Sequence, residues 1–247
     1  VNIRIIRALT LLACIAGAGV AAESQPHVCV IHGFGSNAWV MSGLVRELER
    51  NGYEVTNWGY ASVSRSIPEL GELLYREIRE RADIDAISFV THSMGGLIVR
   101  SMYSHARGDP EFPPFGRIVM LSPPNRGAQI ADFFSQSKLL CWALGPNLEN
   151  MRTDSASLAN QLPDLEELDV GIVMGVRYDA DGWNMFIEGD DDGFLTPDKA
   201  RLGTEDDFIT VRENHFFMPQ NADVHRYILR FLQNGHFDSS RSALLTP

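Results

Sequence analysis

Three cysteines in 247 residues are too few for a disulfide-stapled scaffold, and no apolar stretch reaches the roughly 20 residues that a membrane-spanning helix needs. Nor does any run of Lys or Arg occur. With 21 basic residues against 32 acidic ones the formal charge is −11, so a polyanion would be repelled and nucleic-acid binding is not expected. Hydrophobic residues make up 45% and charged residues 21%, which suits a globular body with a core and argues against disorder. No internal repeat, low-complexity tract or linker interrupts the chain.

What is present begins with a short apolar run. Arg4 and Arg7 precede 15 uncharged residues, 8–22, which end in the small-residue sequence Val20-Ala21-Ala22. That is the layout of an export signal with its cleavage site. Residues 1–22 are therefore expected to be a signal peptide and 23–247 a working domain in the periplasm or outside the cell. The alternative is an uncleaved segment that anchors the protein to a membrane. Cleavage would leave Cys29 and Cys141, a pair able to form a disulfide in an exported protein. Cys29, however, falls within an apolar strand, where a buried free thiol is the simpler expectation.

From His27 onward, strand-like and helix-like segments alternate, the pattern of a parallel sheet covered by helices. Strands are expected at 28–31, 53–56, 86–90, 118–121, 172–176 and 208–211. A helix should run from Ala38 to Arg50, capped by Ser36 or Asn37 and stopped by Asn51-Gly52. Ser66 and Glu69 have capping-box spacing with Pro68 in the first turn, and Leu70, Leu74 and Ile78 follow at helical intervals. Between residues 125 and 168 no strand is evident. That stretch is too long for an ordinary loop and rich in Phe, Leu and Trp, so it is expected to form a helical cap.

The chemistry centres on Thr91-His92-Ser93-Met94-Gly95, where an apolar strand passes into a helix. A sharp turn there would hold the Ser93 hydroxyl above the carboxyl edge of the sheet. The segment resembles the serine elbow of the α/β-hydrolase superfamily, in its bacterial lipase and esterase branch, with Thr91 standing where the usual pattern has glycine. His32-Gly33-Phe34-Gly35, just after the first strand, is similar to the HG loop of those lipases. The resemblance implies that the backbone N–H groups of Phe34 and Met94 form an oxyanion hole.

A serine hydroxyl needs a base. Of the seven histidines, His27, His32 and His92 lie in segments with other roles, His105 sits far along the helix after Ser93, and His225 and His236 belong to the closing helix and its end. His215 remains, in the loop after the last strand, and its surroundings resemble the histidine loop of this esterase group. The family order of serine, acid and histidine restricts the acid to the interval between Ser93 and His215. Asp192, in an Asp-Gly pair before apolar residues, matches the family aspartate; Asp191 and Asp190 are the alternatives.

The resemblance implies an α/β-hydrolase fold, a mostly parallel sheet flanked by helices with a helical cap insertion, and a serine hydrolase acting on carboxylic esters without a cofactor. Amide or thioester cleavage, or a silent binding protein of the same fold, are the rivals. Phe133, Phe134 and Trp142 in the cap are candidates to line a substrate cleft or simply to pack the cap. Small-molecule or lipid esters are the expected partners, with transient membrane-surface contact through the cap. No metal is expected: Asp179-Ala180-Asp181-Gly182 has the wrong glycine spacing for a calcium loop, and no Cys/His cluster suggests zinc.

Overall fold

The computed structural model describes residues 25–237, so the expected signal segment and the tail after Phe237 lie outside the described residues. Its strands are β1 (His27–Ile31), β2 (Glu54–Trp58), β3 (Ile87–His92), β4 (Phe115–Leu121), β5 (Val170–Val176) and β6 (Asp207–Arg212). Its helices are α1 (Ser42–Arg50), α2 (Ile67–Arg79), α3 (Met94–Ala106), α4 (Gln129–Ser135), α5 (Lys138–Leu144), α6 (Asn147–Asn150), α7 (Leu158–Gln161), α8 (Pro197–Ala200) and α9 (Ala222–Asn234). The strands form one sheet in the order β2-β1-β3-β4-β5-β6, with every neighbour parallel. Parallel neighbours require crossovers, which carry helices onto both faces.

Successive side chains on a strand point to opposite faces, and the apolar residues divide accordingly. Cys29, Ile31, Phe89, Ile118, Met120 and Ile172 pack on one face beneath α2 and α3. Val28, Val30, Val90, Val119, Leu121 and Val173 pack on the other beneath α1 and α9. Helix α3 is buried at all but two of its positions, because the sheet lies below it, α2 beside it and the α6–α7 region over it. Gly71 permits the α2–α3 approach: a Cβ there would lie 2.9 Å from Met102 N.

The Ser66–Glu69 capping box starts α2 as the spacing predicts, and Leu70, Leu74 and Ile78 are buried. The expected helix 38–50 instead divides into a 3-10 turn, Ala38–Met41, and α1. Asn37 caps the turn through Trp39 N, and the exposed Trp39 and half-buried Val40 leave burial to Met41, Leu44 and Leu48. The second strand starts one residue later than expected and runs two residues further, to Trp58, whose ring is buried and whose Nε1 donates to Glu77.

Between β4 and β5, the segment expected to be a cap consists of the short helices α4 to α7. Ala128, Ala131, Leu148, Ala159 and Leu165 join the core, so the segment packs into the body along one side. Cys29 and Cys141 are both free, and burial pushes the Cys29 thiol up to about 12. Among the described residues no helix is long and apolar enough to cross a membrane.

Candidate active site

Strand β3 ends at His92 and α3 begins at Met94, leaving Ser93 alone to reverse the chain. Its φ of 55° and ψ of −125° lie where non-glycine residues are rarely found, a strain held by surrounding contacts. Ser93 N donates to Leu121 O at 2.9 Å, and Gly96 N donates back to Ser93 O at 3.0 Å. Close passage explains the glycines. A Cβ at Gly95 would lie 2.9 Å from Ile31 O, and one at Gly33 would lie 3.0 Å from Ser93 Cβ. Thr91, in the place of the usual first glycine, is fully buried, and the missing side chain of Gly96 leaves room beside its hydroxyl.

His215 leaves the carboxyl end of β6 and returns to the elbow, where its ring lies 4.9 Å from that of His92. Its Nδ1 is 2.6 Å from Asp192 Oδ2. A carboxylate only accepts, so Nδ1 donates and Nε2 is the ring nitrogen left to take a proton. Both residues are buried, His215 at 3% exposure and Asp192 at 1%. The other oxygen of Asp192 accepts the N–H groups of Phe194 and Leu195, which holds the carboxylate in place. Phe194 stacks on the imidazole, with centroids 4.4 Å apart.

The three adjacent acids have separate tasks. Asp190 accepts the N–H groups of Arg177 and Tyr178, and so closes the loop after β5. Asp191 is fully buried and accepts Asn184 N and Gly193 N; burial holds its carboxyl above the usual range. Only Asp192 of the three meets His215.

On the opposite side, His32 Nδ1 donates to Gly33 O at 2.9 Å, its ring stacks on Tyr60 at 4.1 Å, and Tyr60 Oη donates to His32 O at 2.6 Å. These contacts brace the loop carrying Phe34, which is half-buried against the core. Met94 is fully buried and opens α3, so its N–H is among the amides that a helix leaves unpaired at its start. In the cap, Phe134 packs inward, whereas Phe133 and Trp142 are exposed at 54% and 82%. Phe133 stacks on Phe186 at 5.9 Å. Among the described residues no cluster of three or more His, Cys, Asp or Glu could hold a metal.

Sequence reasoning missed His92, Tyr60 and Phe194. A histidine at the end of an apolar strand, beside the candidate nucleophile, was the available signal for the first. Phe194 directly follows the Asp-Gly pair. Nothing local marked Tyr60.

A serine elbow beside a buried histidine–aspartate pair, at the carboxyl edge of a parallel sheet clothed in helices, defines an α/β hydrolase. A family model described as the alpha/beta hydrolase fold matches residues 26–140. The chain has the α/β-hydrolase fold. Solved structures of similar fold include a Bacillus licheniformis lipase, BlEst2, in mature form, at 19% identity and a TM-score of 0.66, covering 85% of this chain and 92% of that one. Phospholipase PlaB from Legionella pneumophila has 15% identity and a TM-score of 0.65, covering 89% of this chain and 62% of that one. The metagenomic carboxyl esterase MGS0156 has 14% identity and a TM-score of 0.57, covering 87% and 75%. No curated protein matched the sequence.

Proposed function

We propose that the protein is an exported serine hydrolase that cleaves carboxylic esters through an acyl-enzyme. The observation that carries this reading is the buried 2.6 Å pair of His215 and Asp192 set beside the strained Ser93 elbow. His215 Nε2 takes the Ser93 proton as the hydroxyl attacks the ester carbonyl, and Asp192 holds the imidazole and favours its charged form. The amides of Phe34 and Met94 receive the oxyanion, each worth about 3 to 4 kcal/mol in comparable holes. Collapse expels the alcohol, which leaves with the proton from His215. Water, activated by the same base, then releases the acid and restores Ser93.

The similar structures that are described as a lipase, a phospholipase and a carboxyl esterase support ester cleavage over the amide and thioester rivals. Exposed Phe133 and Trp142, with Phe186 beside Phe133, favour an acyl group or lipid ester over a polar substrate. The Arg4 and Arg7 segment with its apolar run is the basis for export. The test is labelling by a fluorophosphonate probe, expected for the wild type and absent in Ser93→Ala. An unlabelled wild type, or equal labelling of both, removes Ser93 as the nucleophile. A chain-length series of p-nitrophenyl esters then separates short-ester from lipid preference, and turnover confined to thioesters or amides would overturn the ester reading.

A further inference from the structure

His92 precedes Ser93 and has no part in the proton transfers above, yet it is buried at the end of an apolar strand. Its Nε2 is 2.9 Å from the backbone oxygen of His215. Because a carbonyl only accepts, Nε2 carries the proton and donates it, and the neutral ring leaves Nδ1 bare. That Nδ1 has no hydrogen-bond partner and faces the HG loop, where a Cβ on Gly33 would lie 3.2 Å from it. One imidazole therefore stands between the loop of the oxyanion hole and the loop of the base.

The bonds of His215 show what this accomplishes. Its N–H donates to Asp192 O at 2.8 Å, its Nδ1 donates to Asp192 Oδ2, and its carbonyl accepts from His92. Two of the three come from the acid, and the third comes from the chain neighbour of the nucleophile. We infer that His92 is a positioning residue: its Nε2–H bond to the His215 carbonyl sets the base at working height over Ser93, so the nucleophile and the support of its base are adjacent residues of one strand end. The inference rests on the Ser93–His215 reading of the proposed function. Movement of the elbow carries His92 with it, and the bond makes His215 follow.

The support also has to remain uncharged, since a second cation beside His215 would oppose the imidazolium that catalysis requires. Burial first, and the neighbouring His215 second, push His92 down to about 3, so it stays neutral while His215 cycles.

Three substitutions test the bond. His92→Gln carries an amide donor about as far as Nε2, His92→Phe fills the space without a donor, and His92→Asn has an amide too short to reach. Misplacing the base should lower kcat about a hundredfold in the Phe and Asn variants with KM changed less than about twofold, while Gln stays within about fivefold of wild type. The low-field NMR proton of the His215–Asp192 bond supplies a readout that needs no turnover. It should be sharp in wild type and the Gln variant, and shifted or exchange-broadened in the other two. In the wild type alone, the His92 Nε2 proton should exchange slowly. Wild-type kcat in either folded donor-less variant, a Gln variant as slow as both, or a rapidly exchanging His92 proton overturns the inference. Loss of probe labelling in wild type would sink the proposed function instead, while the resonances would still report on the support.

Discussion

At the scale of single residues, the site depends on groups held away from water. Substituting Asp192 or His215 by Ala should lower turnover by about 10³ to 10⁴-fold while the protein stays folded, as measured by esterase assay beside circular dichroism. Near-normal turnover in Asp192→Ala would transfer the acid's role elsewhere. The buried histidines make a further prediction. Burial lowers the pKa of His92, His32 and His27 below 6.5, so the folded state takes up fewer protons than the unfolded chain below that pH. Stability from these groups is fully present above pH 6.5 and is lost as the pH falls from there toward about 3, the value for His92. Denaturant midpoints measured from about pH 7 to about pH 4 should therefore fall, and less steeply in His92→Gln than in wild type. Parallel slopes would remove His92 as a contributor.

At the scale of elements, Arg100 on α3 ties the cap segment to the helix that follows Ser93. Fully buried, its guanidinium donates to the carbonyls of Asn125, Ala159, Leu162 and Pro163 and meets Asp164 at 3.3 Å. Desolvation brings it down to about 10, still charged at neutral pH. Arg100→Met would strip four carbonyls of a donor and should cost about 3 to 5 kcal/mol in chemical denaturation; a loss below about 1 kcal/mol would contradict this. None of that was legible in the sequence, because Arg100 meets partners 25 to 64 residues away. Local signals read well where the cause was local. The Ser66–Glu69 box, the alternation of Val28 to Ile31 and the elbow at Ser93 each declare themselves within a few residues. Asp190, Asp191 and Asp192 form the intermediate case. A motif could favour one of them, but only the folded loop shows that the other two are occupied by backbone N–H groups.

At the scale of the whole molecule, six parallel strands send every connection that leaves a carboxyl end to the same edge. The large apolar side chains that stay exposed gather on those connections: Trp39 after β1, Phe133, Leu139 and Trp142 after β4, Trp183, Met185 and Phe186 after β5, and Phe216 and Phe217 after β6. Apolar side chains projecting from several connections along one edge would suit insertion into a lipid surface. With a chain charge of −11, binding to zwitterionic vesicles should exceed binding to anionic ones. Trp142→Ala with Phe186→Ala should weaken vesicle co-sedimentation while leaving turnover of a soluble short ester unchanged; equal binding of the double variant would exclude the edge as the docking face.

The two ends of the described chain share the other edge. His27 opens β1, and Phe237 N donates to Asp207 at the start of β6. Strands of five to seven residues put about 17 to 23 Å between the two edges. A tether joined ahead of His27 would therefore hold the protein by its heel, with Ser93 turned away from the membrane that held it. An anchored form would face outward and meet substrate arriving from solution or from a second surface, whereas a released form would be free to turn either edge toward a surface.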